Sequence, residues 1–291
     1  MSDDPSQRAQ LRYWSPWLGV FVVLWLVAVG VLFPDPLQLA GRHWGLLVVG
    51  FGGALLGNAT AVGGGLVFIP VMLLVYKLDP VESLKLAIVA QSFGMTSGAV
   101  GWLQSGEIAP RALRHSIVPL VVGCTLGTIV VQPTALLVKG VFGPVSMAVG
   151  VLTLILLGRG GSDPELPPRS WPWALWVGAL VGGLLTGWVA IGAGEVVGAC
   201  LMLVYGIRAR RAIGVGVVCL AICSLYLLAL QQWLPGAVPW EMGMFVGLGC
   251  VFGARLGPHV ALSISPRLLK TGFAVVAILD GGLVFAQFLL H

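Results

Sequence analysis

Two glycine-rich clusters interrupt apolar segments at corresponding places in the two halves of this chain. The first runs from Gly57 to Gly65, and the second runs from Gly187 to Glu195, about 129 to 130 residues later. Each is followed by an apolar run of roughly a dozen residues, whereas about 20 are needed to cross a bilayer. If each run is a short helix that begins inside the membrane, its first N–H groups lack intrahelical partners. With the helix dipole, these groups would attract an anion.

Candidate anion ligands lie in both clusters and on the apolar segment that follows the first one. The predicted substrate-binding residues are Asn58, Thr60, Gly63, Gly64, Gly65, Gln91, Ser92, Trp188, Gly192, Ala193 and Gly194. For Asn58 and Thr60, satisfying the broken backbone of the turn is an equal alternative. The polar residues on the following segment could instead bond across helices, as membrane hydroxyls usually do. Trp188 could equally serve only to pack neighbouring helices.

Glu195 and Asp280 are carboxylates within apolar segments, where a charge is expensive and by default marks a functional site. A charged Glu195 beside a bound anion would repel it by on the order of several kcal/mol in a low dielectric. We therefore expect Glu195 to be protonated when the anion is bound and ionised when the site is empty, so that proton and anion move together. The alternative is that Glu195 only caps the helix, which leaves Asp280 as the next candidate for proton coupling.

Composition identifies lipid as the solvent of this chain. Of its 291 residues, 58% are hydrophobic and only 9% are charged, and the mean hydropathy is +0.98. Soluble domains carry about 25% charged residues. The formal net charge of +5 comes from basic residues in short loops, so no nucleic-acid partner is expected.

The sequence offers no pattern for catalysis, a metal or a cofactor. The four histidines, His43, His115, His259 and His291, all lie near predicted span ends. This placement argues against a membrane enzyme with serine–histidine chemistry and against a histidine-ligated metal site. All five cysteines lie inside apolar segments, and we expect them to be small core residues. We predict no catalytic residue, no metal and no cofactor.

Short polar stretches between the apolar segments mark the boundaries of the helices that hold the two glycine-rich clusters in place. We predict a cytoplasmic tail over 1–16, an N-terminal transmembrane helix over 17–33, repeat 1 over 42–157, a cytoplasmic linker over 158–170 and repeat 2 over 171–290. Each repeat is predicted to be a re-entrant glycine-rich hairpin plus three transmembrane helices. The predicted fold is therefore an all-α polytopic membrane protein with two repeats and one extra N-terminal helix.

The distribution of basic residues predicts which loops of each repeat lie in the cytoplasm and which lie in the periplasm. The strongest basic loop contains Arg208, Arg210 and Arg211, which places it in the cytoplasm by the positive-inside rule. Three spans per repeat is an odd number, so the two repeats must be inverted, a common arrangement in secondary transporters. The N-terminus is then cytoplasmic and the C-terminus periplasmic. Four basic residues fall outside against the rule, namely Arg42, Lys77, Lys85 and Lys139.

At the glycine-rich clusters and near its C-terminal end, the sequence resembles the sulfite exporter TauE/SafE family, also called the sulfonate uptake permease family. The carriers of the resemblance are Gly57 to Pro70, its echo at Gly187 to Glu195, and the tail Gly253 to Gly257 followed by Ser265-Pro266-Arg267. The second cluster departs from the pattern because it lacks a triple glycine and has Ala199 where the first repeat has Pro70.

The resemblance implies a transporter of sulfite or an organosulfonate in the bacterial inner membrane. The expected partners are a small anionic substrate and the lipid bilayer, and the sequence leaves a homo-oligomer open. An anion channel or facilitator of the same fold is the alternative, because two inverted hairpins also build pores. Sequence alone does not separate the two.

Overall fold

The computed structural model describes residues 16–155, 172–234 and 236–290, and these ranges contain helices and no strand. Six helices in the described ranges are long and apolar enough to cross a membrane: Pro36–Thr60, Pro80–Gln104, Pro110–Val130, Ala135–Ile155, Ala209–Gln231 and Trp240–Ala261. The chain is thus an all-α multi-pass membrane protein, as predicted. The predicted cytoplasmic tail and linker lie almost wholly outside the described residues.

The first half of the chain contains one leading helix and five further elements. They are α1 (Pro16–Leu32), α2 (Pro36–Thr60), α3 (Gly65–Pro70, continued by a π-helical turn Val71–Val75), α4 (Pro80–Gln104), α5 (Pro110–Thr125, continued by a π-helical turn Leu126–Val130) and α6 (Ala135–Ile155). Proline begins several of these helices because its fixed φ suits the first turn and no N–H is needed there. Asp79 caps α4 by accepting the N–H of Val81 at 2.9 Å.

The second half repeats the same order of elements. They are α7 (Trp173–Val189), α8 (Ala193–Leu203), α9 (Ala209–Gln231), α10 (Trp240–Ser263) and α11 (Pro266–Leu290). In both halves a helix ends at a glycine cluster, a short helix follows it, and three longer helices come next.

The two short helices after the glycine clusters cannot span a bilayer. Gly65–Val75 and Ala193–Leu203 are both shorter than 18 residues, and α8 has 11. At 1.5 Å per residue an 11-residue helix covers roughly 16 Å, about half of the hydrocarbon core. The arm before the first cluster is longer than the sequence suggested, because α2 begins at Pro36 and has 25 residues. The re-entrant course of the two hairpins stays a prediction.

The helices of one half pack against matching helices of the other half. The first arm of each hairpin packs on the middle long helix of the opposite half, so α2 lies along α10 and α7 lies along α5. In the same way α4 contacts α9, and α6 contacts α11. Each half therefore depends on the other for the support of its glycine cluster.

Glycines bring these paired helices into backbone contact. On α10, Gly249 and Gly253 face the carbonyl oxygens of Leu47 and Phe51 on α2. On α5, Gly123 and Gly127 face the corresponding carbonyl groups of Leu180 and Leu184 on α7. Small residues permit such close approach in membrane helices, where dispersion and interhelical contacts replace the hydrophobic effect. The glycine pattern shared by the two halves therefore serves helix packing outside the clusters.

Candidate functional site

Both glycine clusters form tips, at which one helix ends and a short helix begins. At the first tip α2 ends at Thr60, and Ala61 adopts a left-handed conformation with φ of 60°. At the second tip α7 ends at Val189, and Ala190 does the same with φ of 53°. Gly192 has φ of +133°, a conformation that side-chain-bearing residues rarely adopt.

The two tips touch each other directly. The N–H of Gly65 donates to the carbonyl oxygen of Ala190 at 3.2 Å. A Cβ at Gly65 would lie 2.9 Å from that same oxygen, and a Cβ at Gly194 would lie 2.5 Å from the carbonyl oxygen of Ala61. These glycines are needed because the backbone of one tip lies against the backbone of the other.

Glu195 joins the two tips through its carboxylate. One oxygen, Oε1, accepts the N–H of Gly63 in the first tip at 2.6 Å. The other, Oε2, accepts the N–H of Gly192 in the second tip at 2.9 Å, which caps the start of α8. Glu195 thus caps its own helix, as the structural alternative anticipated. It also occupies the position between the tips at which an anion was expected.

Two further N–H groups at the tips have side-chain acceptors as well. Gln91 accepts the N–H of Gly64 through Oε1 at 2.8 Å. Thr186 accepts the N–H of Ala193 through Oγ1 at 2.9 Å and donates to the carbonyl of Gly182 at 2.8 Å. Five of the six N–H groups at the predicted tip positions therefore have an acceptor from the chain itself, namely those of Gly63, Gly64, Gly65, Gly192 and Ala193.

Gln91 retains unused hydrogen-bonding capacity beside the tips. It is buried, and its Nε2 has no hydrogen-bond partner among the described residues. A buried amide N–H₂ without an acceptor is unfavourable. An oxygen that arrived at the tips would give this group the acceptor that it lacks.

The other predicted polar ligands are engaged in helix contacts. Asn58 is fully buried and donates through Nδ2 to the carbonyl of Ala54 at 2.9 Å. Ser92 donates to the carbonyl groups of Ile88 and Ser224 at 2.8 and 2.9 Å, which links α4 to α9. Trp188 donates its indole N–H to the carbonyl of Val131 at 2.9 Å.

A small cavity of about 40 Å³ borders the junction of the tips on one side. Its lining includes Thr60, Ala61, Thr153, Gly194, Glu195 and Ile213. A water molecule needs roughly 10–15 Å³ by this measure, so the cavity has room for about three.

The second predicted coupling residue, Asp280, belongs to α11, but its side chain lies outside the described residues. Arg255 on α10 is buried and donates through Nη2 to Oε1 of Gln104 at 3.0 Å. Its guanidinium also lies over the indole ring of Trp17 at 5.6 Å. In the described part of the chain, no group of three or more histidine, cysteine or acidic side chains could hold a metal ion.

The sequence analysis did not identify Thr186 as a site residue, and it did not predict that Glu195 contacts both tips. Thr186 precedes the second cluster by one residue, and only its contact with Ala193 across the turn reveals its role. The bond from Glu195 to the first tip joins residues 132 positions apart, which no local pattern predicts.

Comparison with known proteins identifies the family of this chain. No curated protein and no solved structure has significant similarity to the chain. The model of one transporter family, described as Sulfite exporter TauE/SafE, matches residues 46–283. Because this match covers both tips and most of the 291 residues, the chain belongs to the sulfite exporter TauE/SafE family.

Proposed function

We propose that this protein is a secondary transporter that moves sulfite or an organosulfonate across the bacterial inner membrane and binds the anion where the two tips meet. The observation that carries this proposal is the carboxylate of Glu195, which accepts N–H groups from both tips at once. A carboxylate held in this way marks a position whose donors favour a negatively charged oxygen.

Glu195 then acts as an internal competitor of the substrate. While it is ionised, its carboxylate occupies the N–H groups of Gly63 and Gly192. A substrate anion must take over these donors, and two adjacent negative charges repel each other strongly in a low dielectric. Protonation of Glu195 removes the repulsion and weakens its hold on the donors. Proton and anion would therefore cross the membrane together, in the same direction.

The chemistry of the tips suits a sulfur oxyanion. Two of its oxygens could take the donors that Glu195 now occupies, and a third could accept the unused N–H₂ of Gln91. Such a site uses backbone and amide donors and needs no buried arginine beside the substrate. Neutral donors hold an anion less tightly than a cation would, which favours its release.

Matching contacts in the two halves support an inverted-repeat mechanism. Asn58 and Gly187 are 129 residues apart, and so are Thr128 and Gly257. A Cβ at Gly257 would collide with Asn58, and a Cβ at Gly187 would lie 2.8 Å from Oγ1 of Thr128. Equivalent positions thus meet in both halves, as a pseudo-two-fold axis through the tips requires. Rocking of one half against the other would expose the tips to each side in turn.

Proteoliposomes that contain the purified protein test this function. Uptake is measured for sulfite, organosulfonates, sulfate and carboxylates, with protein-free vesicles as the control. We expect saturable uptake of sulfite or an organosulfonate that accelerates when a pH gradient drives protons in the same direction. Flux far above carrier rates, without saturation, would instead identify an anion channel. Absence of uptake of any sulfur oxyanion in correctly inserted protein would refute the proposal.

A further inference from the structure

A second cavity, with several polar residues in its lining, lies between the helix ends at which α4 begins and α5 and α9 end. Its volume is about 70 Å³. Its lining is Val81, Leu84, Lys85, Thr128, Gln132, Pro133, Gln231 and Leu234. Gln132 is exposed and Pro133 is half-buried in the α5–α6 loop, so the cavity adjoins the surface. The distribution of basic residues predicts that this surface faces the periplasm.

Three polar side chains in this cavity are almost completely buried. Lys85, Thr128 and Gln231 have exposed fractions of 5%, 2% and 3%. Oγ1 of Thr128 and Oε1 of Gln231 are buried without a hydrogen-bond partner among the described residues. Buried polar atoms are normally paired, so unpaired ones that line a cavity indicate a missing ligand or water.

Lys85 supplies the charge of this cavity. Its ammonium group donates to the carbonyl of Gly236 and lies near Glu82. It projects from α4, the same helix that carries Gln91 to the first tip. Six residues separate Lys85 from Gln91, which corresponds to about 9 Å along a helix.

Thr128 connects the cavity to the second hairpin. Its hydroxyl lies against Gly187 on α7, where a Cβ would lie 2.8 Å from Oγ1. The cavity therefore adjoins both the helix that supports the first tip and the hairpin that forms the second. An anion that passed between the surface and the tips on this side would meet Lys85, Thr128 and Gln231.

We propose that Lys85, Thr128 and Gln231 form an outer anion site, in which a sulfite ion or a sulfonate head group binds before it reaches the tips or after it leaves them. The ammonium group supplies the attraction. The hydroxyl of Thr128 donates to one oxygen of the anion. The unpaired atom of Gln231 is the acceptor Oε1, so its amide must turn by 180° to present the N–H₂ group to a second oxygen. This inference rests on the proposed transport function, but it concerns different residues and one face of the membrane only.

Transport kinetics measured from each face test the outer site. The variant Lys85→Met removes the charge, Lys85→Arg retains it, and Lys77→Gln removes an exposed charge of the same predicted face. Organosulfonate is presented to one face at a time in oriented proteoliposomes. We expect Lys85→Met to raise KM tenfold or more from the Lys85 face and to leave KM from the other face unchanged. Lys85→Arg should restore most of the affinity, and Lys77→Gln should resemble the wild type.

A second variant separates this outcome from misfolding. Gln231→Met keeps the size of the side chain and removes its amide, so we expect a severalfold rise in KM from the same face only. Unchanged KM in both Lys85→Met and Gln231→Met, or equal increases from both faces, would overturn the outer site while leaving transport at the tips intact.

A binding measurement tests the outer site independently of transport. Gly194→Val blocks the tips, so methanesulfonate binding to this variant in detergent reports the outer site alone. We expect one bound anion, whose affinity falls tenfold or more when Lys85→Met is added. Absence of binding to correctly folded Gly194→Val, or binding unaffected by Lys85→Met, would refute the proposal even if the wild type transported nothing.

Discussion

The substitution Glu195→Gln changes the chemistry between the tips with almost no change in shape. The amide oxygen can still accept one of the two N–H groups that the carboxylate accepts at 2.6 and 2.9 Å. Its N–H₂ group then faces the other backbone N–H group, and two donors cannot form a hydrogen bond with each other. One hydrogen bond to a charged acceptor is lost, which corresponds to about 1.5–3 kcal/mol of stability. We expect a variant that still inserts but unfolds at lower temperature or denaturant concentration.

The functional effect of Glu195→Gln follows from the loss of a proton site. If one proton accompanies each anion, every unit of pH gradient contributes about 1.36 kcal/mol, or about tenfold in the accumulation ratio. The variant is permanently neutral at this position and carries no proton. We therefore expect it to bind organosulfonate and to equilibrate it, without accumulation driven by the pH gradient.

The assay is organosulfonate accumulation in proteoliposomes at pH gradients of zero and about one unit. Glu241→Gln is the matched control, because Glu241 is an exposed carboxylate at the start of α10. We expect this control to keep the wild-type response to the gradient. If Glu195→Gln also keeps it, Glu195 is only a structural cap and Asp280 becomes the candidate for coupling.

Four further predictions test the tips and the topology. Gly194→Val should abolish transport while the protein still inserts, because its side chain would overlap the first tip at a cost of about 1–3 kcal/mol; wild-type affinity for transport would contradict binding at the tips. Thr186→Val should lose about 1–3 kcal/mol of stability in denaturant unfolding, since the N–H of Ala193 is left without its acceptor, whereas Thr186→Ser should lose little; equal losses in both would contradict this role. Gln91→Leu should weaken anion binding about tenfold in a titration, and unchanged affinity would remove Gln91 from the site. A cysteine near position 161 should be labelled only from the cytoplasm and one near Gly236 only from outside, and labelling of both from one side would refute inverted repeats.

The fold class was predictable because it depends on local composition. Long apolar segments specify membrane helices, and the glycine clusters mark where those helices are interrupted. The shared spacing of the two clusters also predicted two halves with the same order of elements. The pairing of α2 with α10 and of α7 with α5 was not predictable. It depends on contacts between halves that no pattern within one segment records.

The candidate site was predictable only in outline. The sequence located both tips and identified Glu195 as unexpected for its surroundings. It could not predict that the N–H groups of both tips would already have acceptors, because Gln91 and Thr186 reach them through the tertiary fold. The glycines were assigned to the close approach of an anion, whereas Gly65 and Gly194 lie against the backbone of the opposite tip. Because these two glycines have no side chains, the backbones of the two tips can pack directly against each other.

Proton uptake upon anion binding tests the central claim most directly. An organosulfonate stays ionised at neutral pH, so any protons taken up when it binds to the solubilised protein in weak buffer must go to the protein. If the anion displaces the carboxylate of Glu195 from the N–H groups of Gly63 and Gly192, the wild type should take up about one proton per anion bound at the tips, and Glu195→Gln should take up none. Binding without proton uptake in the wild type, or equal uptake in both proteins, would contradict competition between the substrate and Glu195.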